Sequence, residues 1–166
     1  LPSNLALAVG PEIDYALFEE AGTLYVLGAA AVAKYDKQLA NARRYGTLKG
    51  RELVERRYEP LFPFFNATPH AFRVLPGDFV NTNEGTCVVH LTPGFGEDDL
   101  TTCQAHGIPI VMPVDNAGRF TAEVPPYEGQ LVFEANRQIM RDLREMGVLI
   151  KHETYVHNFL HCWRSG

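Results

Sequence analysis

The sequence predicts an α+β domain in which strands outnumber helices. Short apolar or alternating runs, separated by glycine and proline, fill the first third of the chain and are typical of a strand meander. Helical patterns are confined to three later stretches. The chain has 166 residues, of which 46% are hydrophobic and 21% charged, and this composition fits one ordinary globular domain or two small lobes. It excludes a disordered, collagenous or coiled-coil protein.

The first 65 residues contain three predicted strands, a helix and a packed loop. The strands cover residues 5–9, 15–18 and 23–27, with Gly10-Pro11 and Ala21-Gly22 as the breaks between them. Residues 29–39 are rich in alanine and lack glycine and proline, which predicts a helix. Residues 60–65 place two prolines among aromatic side chains, so we predict an ordered loop there.

The rest of the chain alternates predicted strands and helices. Strands are predicted at 71–75, 86–91, 108–113 and 149–159, and the second is apolar enough to lie in the centre of a sheet. A helix opens at Glu97 and ends near Gly107, and residues 115–118 form a turn. The clearest helix covers 134–146, because its apolar residues recur on one face and Gly147 suits its C-terminal end.

The charge of the chain is unevenly distributed. A formal net charge of −5 argues against a protein that grips a long stretch of nucleic acid. Residues 34–57, however, hold eight basic and three acidic side chains, a local net charge of +5 that leaves −10 on the remainder. This basic segment is either a solvated stretch without a specific partner or a small surface that meets a phosphate backbone or a neighbouring domain.

Three cysteines and the absence of a long apolar run bear on location. Cys87, Cys103 and Cys162 are widely spaced and odd in number, which predicts reduced thiols rather than a disulfide framework. No stretch approaches the ~20 apolar residues of a membrane span, and the first residues lack the features of a signal peptide. We expect a protein of the cytoplasm that does not contact a membrane.

Residues 85–99 carry the most chemistry. They place His90 at the end of a strand, a glycine loop after it, and the carboxylates of Glu97, Asp98 and Asp99 at a helix start. Negative charge is favourable there for purely structural reasons, and this explains the first two carboxylates. Asp99 lies one step further into the helix, where its side chain can face the loop and bind a substrate ammonium. A hydrolase built on Cys87 and His90 is disfavoured, because i and i+3 on a strand point to opposite faces.

Residues 157–162 include two histidines and a cysteine. A structural zinc site needs four ligands, usually in two close pairs, and this stretch supplies one incomplete pair. We therefore predict no metal site. The sequence also stops here without a polar tail, from which we expect a fragment of a longer protein.

Five strings together resemble the editing domain of isoleucyl-tRNA synthetase, a class I aminoacyl-tRNA synthetase. They are Leu1-Pro2-Ser3-Asn4-Leu5-Ala6-Leu7, Tyr58-Glu59-Pro60-Leu61-Phe62-Pro63, residues 85–99, Pro113-Val114-Asp115 with Gly118-Arg119-Phe120, and His161-Cys162-Trp163-Arg164. The resemblance covers nearly the whole chain, 1–166, as a single editing domain. It implies an α+β fold built around a distorted β-barrel with a few peripheral helices.

The resemblance implies an aminoacyl-tRNA deacylase that hydrolyses valine misattached to isoleucine tRNA. Such a site is needed because a pocket that binds isoleucine binds valine, which lacks one methylene, less tightly by only about 1–3 kcal/mol. Isoleucyl-tRNA synthetase is itself the usual example of this limit on discrimination. In the family pattern Asp99 holds the α-ammonium of the amino acid, and His90 lines the pocket and helps to keep isoleucine out. The remaining substrate-binding positions are Asn4, Thr86, Thr92, Phe95 and Gly96. The family has no obvious nucleophile, so a positioned water attacks the ester.

The implied partners are the acceptor end of isoleucine tRNA and the rest of the synthetase in the same chain, with the domain monomeric. No cofactor is implied here, since ATP and Mg²⁺ serve the synthetic domain. Two alternatives remain open: a module that binds the acceptor end without cleaving it, and a free-standing trans-editing hydrolase.

Three departures from the family pattern bear on these expectations. A threonine-rich segment precedes Leu1 in the family, so this sequence by itself is expected to bind and hydrolyse weakly. Cys87 stands where the family has glycine, and Ser165 stands where many members have a second zinc-binding cysteine.

Overall fold

The computed structural model describes residues 2–153, and this part of the chain contains six β-strands and two α-helices. They are β1 Ala6–Val9, β2 Asp14–Glu20, β3 Thr23–Gly28, β4 Arg43–Lys49, β5 Arg73–Pro76, β6 Val88–Leu91, α1 Glu97–Ala105 and α2 Val132–Glu145. The prediction of an α+β domain richer in strands than in helices is confirmed. None of the helices in residues 2–153 is long and apolar enough to cross a bilayer.

The strands form two three-stranded sheets. In the first, the order is β5-β1-β6, with β1 parallel to β5 and antiparallel to β6. In the second, the order is β3-β2-β4 and both pairings are antiparallel. Within residues 2–153 these sheets do not close into a barrel, so the barrel that the resemblance implied is not confirmed.

A buried phenol helps to join the two sheets. Tyr15 on β2 is fully buried; its Oη accepts a hydrogen bond from the backbone N–H of Gly10 (3.0 Å) and donates to the carbonyl of Cys87 (2.7 Å). Burial raises the pKa of this phenol, so it stays a neutral donor. The core around it includes side chains from β1, β5 and the apolar face of α2, among them Val9, Leu75, Ile139 and Leu143, together with Leu5 just before β1.

Several predicted elements differ in the structure. Residues 29–39 contain a 3₁₀ helix, Ala29–Tyr35, instead of an α-helix. Gly28 provides no side-chain cap and only Ala31 is fully buried, although Ala29, Val32 and Tyr35 pack against the second sheet. Alanine propensity by itself therefore did not determine the type of helix. Strand β4 was not predicted, because it is largely exposed and charged and is held by its pairing with β2.

Three more strand predictions need correction. The strand predicted at 86–91 is shorter and lies at an edge of its sheet, while β1 is central, since apolar content does not encode sheet order. Residues 108–113 form no strand because Pro109 and Pro113 remove backbone donors. Of the strand predicted at 149–159, residues 149–153 are not in a strand and the rest lies outside the described residues.

The remaining secondary-structure predictions for the described residues are confirmed. Phe62 and Phe65 of the predicted packed loop are buried, and α1 and α2 occupy the predicted helical stretches. Asp115 caps the predicted turn, since its Oδ1 accepts from the backbone N–H groups of Ala117 and Arg119, both at 2.9 Å.

Candidate functional site

The candidate site is built on the 92–96 loop, which joins β6 to α1. A tight turn opens this loop, because the N–H of Phe95 donates to the carbonyl of Thr92 at 2.9 Å. Gly96 then takes the extended N-cap position of α1. Its lack of a side chain leaves the first turn of the helix open toward the loop, and the third helical residue, Asp99, uses that opening.

The carboxylate of Asp99 is anchored to Thr92. Its Oδ2 accepts the backbone N–H of Thr92 at 2.8 Å and the Thr92 hydroxyl at 3.2 Å. Glu97 and Asp98 of the same helical turn are exposed, whereas Asp99 is half-buried. Within residues 2–153 the other carboxylate oxygen, Oδ1, has no hydrogen-bond partner. The anchored carboxylate can therefore receive a cation without giving up its link to the loop.

His90 lies on β6 between two cavities and lines both of them. Its imidazole is accessible to solvent, but the walls of the two cavities partly desolvate it, and this desolvation lowers its pKa below the ordinary value. The nearby charge of Asp99 opposes that shift. His90 is therefore a neutral imidazole at neutral pH, able to donate one hydrogen bond and accept another.

The first cavity, of about 300 Å³, reaches Thr92, the residue that anchors Asp99, although Asp99 itself does not line it. His90, Thr92 and Phe95 contribute to its wall. Its other lining residues come from the N-terminal segment, the turn after Pro113 and α2: Pro2, Ser3, Val114, Phe120, Val132, Asn136 and Ile139. Most of these are apolar, so the cavity suits a small aliphatic group beside a carboxylate.

The second cavity, of about 270 Å³, lies on the other side of His90 and includes Asn4. The carboxamide of Asn4 is fixed: its Oδ1 accepts the hydroxyl of Tyr58, and its Nδ2 donates to the carbonyl of Ala6 at 2.7 Å. A longer contact of 3.4 Å joins Nδ2 to the carbonyl of Leu91. Asn4 thus holds the loop that begins at Tyr58 against the end of the first sheet.

Thr86 is not brought together with the other predicted site residues. It lines a separate cavity of about 370 Å³, whose wall includes Val26, Leu143 and Ile150. The residue after it, Cys87, is buried and adopts a left-handed backbone with φ of 61°. The substrate-binding role of Thr86 therefore stays a prediction from the resemblance.

Several lining residues of the two cavities were not identified from the sequence. Ile139 carried a signal, because it belongs to the repeating apolar face of a predicted helix. Tyr58 belonged to one of the strings that carry the resemblance, but nothing in the sequence pairs it with a residue 54 positions earlier. Ser3 likewise belonged to one of those strings, where no role was assigned to it, and Asn136 is a single polar residue without a local pattern.

Within the described part of the chain, no group of three or more histidine, cysteine, aspartate or glutamate side chains is placed to hold a metal ion. The histidine and cysteine stretch at 157–162 lies outside the described residues.

Comparisons with known proteins identify the class of domain. No family model matches the chain. The CP1 domain of GlLeuRS superposes with a TM-score of 0.68 at 14% identity, covering 93% of this chain and 80% of that one. The editing domain of the P. falciparum cytosolic leucyl-tRNA synthetase gives a TM-score of 0.65 at 11% identity, over 87% and 72% of the two chains. The fold is therefore that of the connective-peptide editing domains of aminoacyl-tRNA synthetases.

In sequence, the chain is a homologue of isoleucine–tRNA ligases. It is 48% identical over 167 aligned residues to the isoleucine–tRNA ligase of Rickettsia bellii (strain OSU 85-389), a match that covers 99% of this chain. The chain spans about 15% of the length of that relative. The resemblance seen in the sequence is thus confirmed for the editing region of that ligase family.

Proposed function

We propose that this domain is a post-transfer editing deacylase, which hydrolyses the ester of valine misattached to isoleucine tRNA. The observation that carries the proposal is the carboxylate of Asp99, which is anchored by Thr92, a residue that lines a mostly apolar cavity. A carboxylate beside an apolar cavity is the combination that an α-ammonium and an aliphatic side chain require.

We attribute selectivity for valine to steric exclusion in the first cavity. A synthetic site that accepts isoleucine cannot strongly reject valine, because the smaller side chain loses only the contacts of one methylene. A second site can instead reject isoleucine by steric exclusion. In the first cavity the aliphatic walls include Val114, Val132 and Ile139, and His90 closes one side. We assign to His90 the exclusion of the larger side chain.

The proposed reaction is a simple ester hydrolysis. The α-ammonium binds Oδ1 of Asp99, which fixes the ester at the mouth of the cavity. A water oxygen adds to the ester carbonyl carbon, the bond from that carbon to the ribose oxygen breaks, and the water's proton ends on the ribose hydroxyl. His90, neutral and within the cavity wall, can orient the water or the substrate. No cofactor enters this scheme.

The two cysteines among the described residues do not supply a nucleophile in this scheme. Cys87 and Cys103 are buried, and desolvation raises the pKa of both thiols, that of Cys103 to about 11. Because the thiolate is the reactive form, both thiols are inert at neutral pH. This supports attack by water over a covalent cysteine mechanism.

The proposed partners are the acceptor end of isoleucine tRNA and the rest of a ligase chain in cis, with the domain acting as a monomer in the cytoplasm. The proposal is tested by measuring the half-life of the ester in isoleucine tRNA that carries valine. Two proteins are compared: this chain, and a form extended N-terminally by the corresponding ligase segment. Hydrolysis above the spontaneous rate in the extended form, and slower hydrolysis by residues 1–166, is the expected result.

Binding of the mischarged tRNA by the extended form without any change in ester lifetime would overturn the deacylase proposal. The domain would then act as a module that holds the acceptor end. Isoleucyl-tRNA is the matched control substrate, since the cavity should leave its ester intact.

A further inference from the structure

The strongest feature outside the candidate site is the exposed first half of β4, which lies at an edge of the second sheet. Its residues Arg43, Arg44 and Tyr45, called here the β4 patch, are all exposed. Tyr45 is 64% exposed, which is unusual for a large aromatic side chain that has a sheet to pack against. The β4 patch plays no part in the deacylation scheme.

A β-bulge presents the tyrosine to solvent. Leu17 on β2 pairs with Gly46 and the next residue, Phe18, pairs with Arg44, so Tyr45 is an extra residue without a partner across the ladder. Bulges of this kind redirect a side chain, and they are common at sheet edges. Here the redirected ring lies beside two arginines.

The charges of the β4 patch are not neutralised, in contrast with those at the other end of the same segment. Lys49 pairs with Asp14 at 2.9 Å and Arg51 pairs with Glu12 at 2.8 Å. Within residues 2–153, the side chain of Arg43 has neither an ion pair nor a hydrogen bond.

The acidic residue that could neutralise Arg43 is engaged elsewhere. Glu19 lies opposite Arg43 in the ladder, but its carboxylate accepts the N–H of Gly22 at 2.9 Å instead. Within residues 2–153, Arg44 donates to the neutral hydroxyl of Thr47 at 3.0 Å and makes no ion pair. The β4 patch therefore presents two exposed guanidinium groups that are not held in ion pairs.

We propose that the β4 patch is an RNA-binding surface that takes a single-stranded stretch of tRNA, with Arg43 and Arg44 on phosphates and an unpaired base stacked on Tyr45. An exposed aromatic ring flanked by guanidinium groups is the combination that binds single-stranded nucleic acid. Charge complementarity favours this partner, because the patch is positive on a chain whose net charge is −5. The inference rests on the proposed function, since it assigns a binding surface to the same tRNA.

The test measures binding of uncharged isoleucine tRNA, so that it does not depend on hydrolysis. Fluorescence anisotropy over a range of salt concentrations measures tRNA binding by the unsubstituted chain and by three variants. These are the double variant Arg43→Ala/Arg44→Ala, Tyr45→Ala and Tyr45→Phe. A matched control, Lys49→Ala/Arg51→Ala, also removes two positive charges, but from residues of the basic segment that are held in ion pairs. Circular dichroism confirms that each variant folds.

The double variant is expected to bind roughly tenfold more weakly, with a salt slope shallower by about 1.4 for two lost phosphate contacts to a single strand. Tyr45→Ala is expected to weaken binding by roughly fivefold or more, while Tyr45→Phe keeps the stacking ring and binds normally. The control pair should bind like the unsubstituted chain.

Equal weakening by the control pair, or unchanged affinity in the double variant, would overturn the RNA-binding surface. A variant that changes a dimer into a monomer without altering RNA affinity would show instead that β4 pairs with a second copy. Each of the two proposals can fail without the other. A chain that binds tRNA through the β4 patch and leaves the ester intact overturns only the deacylase. Active deacylation with unchanged binding in the patch variants overturns only the surface.

Discussion

Thr92 donates two hydrogen bonds, from its backbone N–H at 2.8 Å and from its hydroxyl at 3.2 Å, to the same carboxylate oxygen of Asp99. The pair ties the end of β6 to the first turn of α1 across the 92–96 loop. Because one oxygen makes both bonds, the geometry of the carboxylate is fixed while its second oxygen is left for a ligand.

Replacing Asp99 by asparagine should separate the charge of this side chain from its structural role. The amide oxygen can still accept the N–H of Thr92, but the side chain no longer attracts an ammonium. We expect the deacylation rate at subsaturating substrate to fall roughly ten- to hundredfold, the range for a lost charged hydrogen bond. Asp99→Ala should abolish deacylation.

The melting temperature is the second measurement for this prediction. Asp98→Asn, an exposed position in the same helical turn, is the matched control and should keep full activity. A large loss of melting temperature in Asp99→Asn would mean that the carboxylate is mainly structural.

Replacing His90 by alanine should relax selectivity. The imidazole lines the first cavity, so its removal enlarges the space available to the side chain of the amino acid. We expect hydrolysis of correctly charged isoleucyl-tRNA to rise, and the preference for valine to fall by about tenfold. The neighbouring exposed Val89 lies on the other face of β6 and lines neither cavity, so Val89→Ala is the control. Unchanged selectivity in His90→Ala would remove the histidine from the pocket.

The pH dependence of His90 has a definite sign. Its folded pKa lies below the ordinary value because of desolvation, so the folded chain binds this proton less readily than the unfolded chain. The contribution to stability is therefore present above a pH of about 6.5, the ordinary pKa of histidine, and is lost as pH falls from there through the folded pKa.

An NMR titration, with the His90 signal assigned by its absence in His90→Gln, measures this pKa. Asp99→Asn should lower it further, because the carboxylate partly supports the protonated form. A His90 pKa at or above 6.5, or one that rises in Asp99→Asn, would contradict the electrostatic coupling between the two residues.

Gly96→Ala should reduce activity without unfolding the domain. Gly96 has a φ of −145°, which alanine adopts freely, but a Cβ would lie 3.1–3.3 Å from the carboxyl atoms of Asp99. The methyl group therefore requires the carboxylate to shift by a few tenths of an ångström, which disturbs its hydrogen bonds to Thr92. We expect a roughly tenfold loss of deacylation with a nearly unchanged melting temperature, since one misplaced catalytic group is costly to rate but not to folding. Full activity would show that the carboxylate tolerates movement.

Local patterns predicted much of the fold. The three early strands and both α-helices were read from alternation, helical periodicity and breaker residues, all of which act over a few neighbouring positions. Strand β4 was missed because Arg43 and Arg44 have no intrinsic strand signal, and its existence depends on pairing with β2 across the chain. The edge position of β6 likewise depends on sheet order.

The candidate site shows the same division. The 92–96 loop and Asp99 are close in sequence, so their chemistry could be proposed from the spacing alone. The hydrogen bond from Tyr58 to Asn4 joins residues that only the folded chain brings together. The same is true of the first cavity, where residues of α2 meet the 92–96 loop. Sequence resemblance suggested the residue types, and the packing determined which of them share a cavity.

The buried contact between Gly28 and Cys87 gives a prediction about stability. A Cβ placed on Gly28 would lie 2.2 Å from the sulfur and 2.6 Å from the Cβ of Cys87. Gly28→Ala alone should therefore destabilise the domain by about 1–3 kcal/mol, the usual cost of overpacking.

In the background of Cys87→Gly the obstructing side chain is absent, and the left-handed backbone at position 87 suits glycine without strain. Denaturant unfolding of both single variants and the double variant gives the coupling energy, which should favour the double variant by more than 1 kcal/mol. Additive effects would mean that the backbone near Gly28 shifts to accommodate the methyl group, and that Cys87 does not require glycine at position 28.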